Sequence, residues 1–340
     1  MTITVKDVAK KAGVATSTVS RVINDHPSIS IATKEKVRNI MKDMGYVPNI
    51  SARNLGTQSA NALGIILPPF LTKEQVGNPF YLELIYSINQ AAVDLQLATV
   101  IITGKDNEEL LNHVKQMYAQ KQVDGFILTY SIKNDPILHY LMKETIPVTL
   151  IGKPCSQRDG LSYVDNDNQL LGRCSTNHLI EHHHQKILFL TDRQEDQVFI
   201  DRYIGYQSAL KQANLPVFSP KILQEKQDWQ EFIPWIQREG ITGAIVMDEG
   251  LALKTIQALS QIGYEIPADF SLISFNNSFL ATLTHPFLTS VDIQIHDLAT
   301  ASVKQLVSQL TTPTTRQQPV IIQTYGLIQR ETVGQINTKD

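Results

Sequence analysis

Only two cysteines, Cys155 and Cys174, stand among 340 residues. That excludes a disulfide framework and fits a reducing compartment. No apolar run approaches the roughly 20 residues needed to cross a bilayer. The first eleven residues already carry Lys6, Asp7, Lys10 and Lys11, so the apolar core of a signal peptide cannot form there. A cytoplasmic protein without a membrane partner is expected. Aromatic residues make up 7% of the chain, and Tyr46 is the only one in the first 60 residues. This argues against a stacking surface for single-stranded nucleic acid. A Gly-rich phosphate loop, a nucleophile elbow and a metal-ligand pair at catalytic spacing are all missing. Neither an enzyme, nor a cofactor, nor a bound metal is expected.

What is present is a globular composition, 42% hydrophobic and 19% charged, in a chain long enough for two or three domains. The formal net charge of −3 conceals an asymmetry. Residues 1–59 hold nine Lys and Arg against four acids, a balance of +5, which leaves −8 for the remainder. A small basic head on a larger acidic body is the first pointer to a polyanionic partner.

Thr4 and Asp7 read as a capping box opening a helix with Val5, Val8, Ala9 and Ala12 on one face. Gly13 breaks it. A second helix over about 16–24 places Val19, Val22 and Ile23 inward and leaves Thr16, Ser17, Ser20 and Arg21 outward. Ser30 caps a third, with Val37, Ile40, Met41 and Met44 inward, and Gly45 closes it. Helix, glycine turn and polar second helix form the pattern of a helix-turn-helix. Periodicity alone serves equally well for a three-helix bundle whose Lys and Arg only keep it in solution.

The run from Val5 to Asn24, VKDVAKKAGVATSTVSRVIN, together with Gly45-Tyr-Val-Pro-Asn49 and Ala52-Arg-Asn-Leu55, resembles the N-terminal signature of the lac-repressor (LacI/GalR) family. The resemblance implies that Thr16, Ser17 and Arg21 read base edges in the major groove, and that Thr18, Ser20 and Asn24 seat the helix on phosphates. It also implies a hinge including Asn49, Ala52 and Leu55 that folds on operator DNA, with Leu55 wedged into the minor groove. An ordinary linker whose Leu55 packs on the core is the alternative. Ala15 stands where the family usually has Ser, which removes a cap. Gly56 stands where Ala or a larger residue is usual, which makes hinge folding costlier.

From Asn61 onward, short β-branched runs alternate with amphipathic helices. Strands are expected at 63–67, 99–103, 125–129, 148–151, 186–190, 243–247 and 272–275. Helices are expected at 80–95, 108–121, 169–181, 200–212 and 251–262. Such βα repeats imply parallel sheets covered on both faces. About ten strands are too many for one sheet, so the expectation is an α/β fold of two doubly wound lobes with a ligand cleft between them. The body resembles the family's periplasmic-binding-protein-like core, and Gly326–Thr332 is similar to its closing motif. The expected organisation is a helix-turn-helix head over 1–46, a hinge over 47–60 and an effector-binding and dimerisation core over 61–340. The first lobe takes about 61–160 plus 292–322, and the second about 161–291 plus 323–340. Asn78–Tyr81, Gly104–Asp106, Ile151–Lys153, Val164–Asn168 and Ser274–Ser278 most resemble the maltose-operon repressors of Gram-positive bacteria.

That resemblance places candidate effector contacts at Phe80, Tyr81, Lys153, Arg202, Asp248 and Asn276. Arg202 suits the position chemically, because its planar fork can bridge adjacent sugar hydroxyls. Asn276 replaces a usual Asp and keeps hydrogen bonding without charge. Core packing is the alternative for Phe80, and an ion pair with Asp201 or Asp196 the alternative for Arg202. His182-His-His184 reads as a helix C-terminus instead of a metal site, because consecutive helical residues face different directions.

The implied function is a repressor that binds double-stranded operator DNA as a homodimer and is controlled by a small sugar, maltose or maltodextrin. The alternatives are a global carbon-catabolite regulator of the same family with a phosphoprotein corepressor, and a cytosolic sugar-binding module without regulatory DNA binding.

Overall fold

A computed structural model describes residues 3–23, 25–46, 59–69, 73–156, 160–192, 196–283, 285–312, 318–323 and 326–335. Asn24 and the expected hinge residues Asn49, Ala52 and Leu55 lie outside the described residues. The chain divides into two compact units, residues 1–60 and 61–340.

The first unit carries α1 (Val5–Ala12), α2 (Thr16–Ile23) and α3 (Ile31–Met44). The capping box forms as expected: one carboxylate oxygen of Asp7 accepts from the Thr4 backbone N–H at 2.8 Å and from its hydroxyl at 2.7 Å. Gly13 and Gly45 close α1 and α3 at φ 66° and 64°, the left-handed geometry that glycine adopts freely. Val8, Ala9, Ala12, Val19, Val22 and Val37 make the small core. Lys34 and Arg38 of α3 reach back to the Asp25 carboxylate at 2.9 and 2.7 Å, so part of the head's basic charge brackets its own loop.

In the second unit one six-stranded sheet joins β1 (Ala62–Ile66), β2 (Ala98–Ile102), β3 (Gly125–Leu128), β4 (Val148–Ile151), β5 (Ser162–Asn166) and β11 (Val320–Ile322). Its order is β11-β5-β4-β3-β1-β2, with every pairing parallel. The other sheet joins β6 (Ile187–Thr191), β7 (Lys221–Ile222), β8 (Gly243–Val246), β9 (Ser271–Phe275), β10 (Thr289–Asp292) and β12 (Gly326–Ile328). Its order is β12-β10-β9-β8-β6-β7, and only the closing β10–β12 pair is antiparallel. The helices between are α4 (Lys73–Val76), α5 (Pro79–Asp94), α6 (Asn107–Ala119), α7 (Pro136–Lys143), α8 (Asn168–Glu181), α9 (Gln197–Gln212), α10 (Lys226–Glu239), α11 (Glu249–Ser260) and α12 (Ile295–Thr311). The central strands β1, β3, β6, β8 and β9 are buried along their whole length, which is why β1, β3 and β8 read as unbroken apolar runs.

One boundary differs from the expectation. β5 pairs with β4 in the first sheet, so that lobe runs through Asn166 and does not stop near 160. The strand is hard to read because it is polar at its end, Asp165-Asn166, where it meets the cavity described below.

Each sheet reverses its strand order once, at β1/β3 and at β6/β8, and open α/β sheets bind ligands outside the strand ends at such points. Two glycines let α8 and α9 pack backbone to backbone beside this region. A Cβ on Gly172 would collide with the Arg202 carbonyl, and one on Gly205 with the Gln169 carbonyl.

The histidine run sits past the end of α8, and the rings of His182 and His184 take separate partners. His182 Nδ1 meets the His178 carbonyl oxygen at 2.7 Å. His184 is buried between the Thr242 hydroxyl and the Gly334 carbonyl, and burial pushes its imidazole down to about 4.

Candidate functional site

Two surfaces carry the chemistry. On the head, Thr16, Ser17, Ser20 and Arg21 of α2 are exposed and Thr18 is half-buried, while Val19 and Val22 anchor the opposite face. Ala15 precedes the helix, and its carbonyl accepts from the Thr18 and Val19 N–H groups at 2.9 and 3.2 Å. It has no side-chain oxygen with which to cap α2. The exposed face offers one guanidinium and short hydroxyls, groups able to donate to guanine edges and to phosphates.

In the core, the loops that follow the strand ends line one open cavity, placed where open α/β sheets bind small molecules. Phe80, Tyr81, Arg202, Asp248 and Asn276 all line it. Lys153 does not. Its ammonium pairs with Asp201 at 3.6 Å, and its backbone N–H donates to Asp165 at 2.9 Å. Phe80 and Tyr81 sit in the first turn of α5 with their rings edge to face at 5.1 Å. The Asn78 side chain caps that turn by accepting from the Phe80 N–H at 3.0 Å.

Arg202 is 4% exposed. Its Nε donates to Asn168 Oδ1 at 3.0 Å and its Nη1 to the Met247 carbonyl at 3.3 Å, while the guanidinium lies 3.9 Å from the centre of the Phe275 ring. Asn168 Nδ2 in turn donates to Asp165 at 2.9 Å. A continuous chain of hydrogen bonds thus runs from the Lys153 backbone after β4, through Asp165, Asn168 and Arg202, to Met247 after β8. It links the strand ends of one sheet to those of the other. Burial pushes the Asp165 carboxyl up to about 6, against the opposing pull of its backbone N–H donors and of Arg202.

Asp248 and Asp196 begin α11 and α9, accepting from the Leu251 and Val198 N–H groups at 2.9 and 3.0 Å. Beside Asp248, Glu249 is 1% exposed and holds Ser278 through the backbone N–H at 2.6 Å and the hydroxyl at 3.1 Å. Burial pushes its carboxyl up to about 7. This contact steadies the turn after β9, in which Asn276 and Asn277 adopt φ 94° and 55°. Asparagine is among the few residues that enter this region at modest cost. Arg330 Nη2 donates to Asn277 Oδ1 at 2.6 Å and fixes the turn from its other side.

Asn78, Thr129, Tyr130, Ser131, Asp165, Asn166, Asn168 and Asp196 also line the cavity and were not singled out from the sequence as ligand contacts. Their common signal is position: each follows or ends a strand, or caps a helix at the mouth of the sheets. Tyr130 is 8% exposed, and its hydroxyl has no hydrogen-bond partner among the described residues. Burial pushes its phenol up. Among the described residues no group of three or more His, Cys, Asp or Glu is placed to hold a metal, and no helix is long and apolar enough to cross a membrane.

Comparison with known proteins finds matches to both units of the chain. Residues 4–49 match the bacterial regulatory proteins of the lacI family. Residues 60–237 match the periplasmic binding proteins and sugar binding domain of the LacI family, and residues 176–333 a periplasmic binding protein-like domain. The HTH-type transcriptional regulator MalR of Staphylococcus xylosus is 34% identical over 295 residues, covering 86% of each chain. The structure of a probable maltose operon transcriptional repressor from Staphylococcus aureus is 28% identical, covers 81% of this chain and 98% of its own, and superposes with a TM-score of 0.73. A complex of the transcriptional regulator CelR with cellobiose is 26% identical, covers 97% and 99%, and has the same TM-score of 0.73. With a helix-turn-helix head and a two-lobed core matched over nearly their whole length, the chain belongs to the lacI family of bacterial regulatory proteins and is a DNA-binding transcriptional regulator, not an enzyme.

Proposed function

We propose that the chain is a repressor that binds operator DNA as a homodimer and releases it when a small sugar, maltose or a maltodextrin, fills the cavity of the core. The observation that carries this reading is the meeting of Phe80, Tyr81, Arg202, Asp248 and Asn276 around one cavity lined by the strand ends of both sheets. Aromatic faces beside amide, carboxylate and guanidinium groups suit a polyhydroxylated ring, which offers apolar C–H faces and an edge of hydroxyls. The MalR relatives favour maltose as the sugar.

The exposed face of α2 is the reading surface, with Arg21 donating to a base edge and Thr16, Ser17, Thr18 and Ser20 to bases and phosphates. Asn24, Asn49, Ala52 and Leu55 would complete it. Dimerisation is supported by an apolar face on the first lobe: Leu82, Tyr86 and Val93 of α5 are 70%, 63% and 55% exposed, next to Ile101 on the edge strand β2. Such contiguous exposure marks an interaction surface. Control requires the sugar to bind the low-affinity arrangement of the lobes more tightly than the operator-binding one, since a ligand shifts an equilibrium only by its differential affinity.

Titration calorimetry of the full chain with maltose and maltodextrins tests the reading. Saturable binding is expected. If no sugar produced heat while a phosphorylated carrier protein did, the chain would instead be a corepressor-dependent catabolite regulator.

A further inference from the structure

The charge in the cavity wall is unbalanced. Asp165, Asp196 and Asp248 line it, and Arg202 is the one cation among the described lining residues. Arg202 is already engaged, donating to Asn168 and Met247 with its guanidinium over the Phe275 ring. Lys153, next in line, turns its ammonium to Asp201 and not to the cavity. The N-termini of α9 and α11 also begin at the wall, and bare helix N-termini attract phosphate. Here a carboxylate already stands at both, Asp196 accepting from the Val198 N–H and Asp248 from the Leu251 N–H. Of the features that could welcome an anion, Lys153 is paired with a carboxylate and the α9 and α11 N-termini are capped by carboxylates, while Arg202 and the α5 N-terminus already meet the neutral oxygens of Asn168, Met247 and Asn78.

We infer that the cavity takes an uncharged carbohydrate and rejects the phosphorylated form of the same sugar. This rests on the sugar-controlled reading above and adds to it the charge class of the effector. Three carboxylates face one guanidinium in the wall, so the acidic groups outnumber the basic one. At an effective dielectric constant near 20, a phosphate dianion about 8 Å from even one uncompensated carboxylate is disfavoured by about a thousandfold before salt screening, so a hundredfold discrimination is the least expected. The hydroxyls of a neutral sugar meet the opposite situation, because carboxylate and amide oxygens are strong acceptors for them. The step that supplies the effector must therefore deliver a free sugar, by uptake without phosphoryl transfer or by hydrolysis of a longer glycan.

Titration calorimetry of the full chain at pH 7.5 with maltose and with maltose 6′-phosphate tests this directly. The expected result is saturable binding of maltose and binding of the phosphorylated sugar at least a hundredfold weaker. Equal or tighter binding of maltose 6′-phosphate overturns the charge inference and leaves sugar control intact. Failure of both sugars and of the neutral maltodextrins overturns sugar control and the inference with it. Asp196→Asn and Asp248→Asn remove wall charge while the amide can still cap each helix. The doubly substituted chain should narrow the ratio of the two affinities at least tenfold, and Asp196→Asn alone should narrow it severalfold. A ratio unchanged in both, with thermal denaturation showing them folded, overturns the inference.

Discussion

Arg202 Nε donates to Asn168 Oδ1 at 3.0 Å, and this bond is the central link of a polar chain joining the strand ends of the two sheets. Arg202→Ala should abolish the response to sugar: operator affinity should change less than twofold on adding maltose, while affinity without sugar stays within about threefold of the parent. It also strips the donors from Asn168 Oδ1 and the Met247 carbonyl, so thermal or urea denaturation should show a loss of about 1–3 kcal/mol. A preserved response would refute the placement of Arg202 at the ligand.

Much of this is legible in the sequence, and the gaps have physical causes. The head is readable because its signals are local: the Thr4–Asp7 box, the two closing glycines and the inward valines form within a few residues of one another. The central strands are readable because both faces are buried. β5 is not, since its last residues serve the cavity, and β7, with two residues, is too short to show a pattern. Phe80, Tyr81, Arg202, Asp248 and Asn276 were found through family resemblance. Asp165 and Asn168 were not read as cavity-lining although their segment was noticed, because a strand end reveals its neighbours only after the sheet order is known. Lys153 shows a different limit: it is adjacent to a lining residue, Gly152, but which way its side chain turns, here to Asp201, depends on a partner far along the chain.

The close crossing of α8 and α9 leads to a second prediction. Gly172→Ala places a methyl against the Arg202 carbonyl, a backbone atom that cannot rotate away. The helices must separate, and a cost of about 1–3 kcal/mol is expected from overpacking of this kind. Sugar affinity should fall with it, because the shifted segment carries Arg202. Calorimetry and denaturation on the same sample check both effects, and an unchanged sugar affinity would contradict the coupling.

The buried Glu249 gives a pH dependence with a definite sign. Its native carboxyl sits at about 7, above its ordinary 4.5, so between these values the native state keeps a proton that the unfolded state releases. Its contribution is therefore fully present below about pH 4.5 and is lost as pH rises through 7. Glu249→Gln removes that loss and can still meet Ser278 through its amide. The variant should gain up to about 3 kcal/mol relative to the parent between pH 5 and pH 8. His184 acts oppositely, being held neutral down to about 4. Urea denaturation across this range is the check, and parallel curves for parent and variant would contradict it.

At the head, Ala15 leaves α2 without a side-chain cap. Ala15→Ser supplies an oxygen for the N–H groups of the first turn and should stabilise α2 by about 1 kcal/mol. Amide exchange at Val19 and Val22 should slow, and operator affinity should rise a few-fold through one additional hydroxyl near the phosphates. Unchanged exchange would show that the first turn is satisfied in some other way.

The central claim is that sugar in the core controls DNA at the head. Fluorescence anisotropy of the full chain with operator DNA from a maltose-gene promoter, at fixed salt and with and without maltose, tests it most directly. The account predicts tight binding without sugar and at least a tenfold loss of affinity at saturating maltose, with binding to unrelated DNA unaffected. Operator affinity that does not respond to maltose or any maltodextrin, or no preference for operator over unrelated DNA, would contradict it.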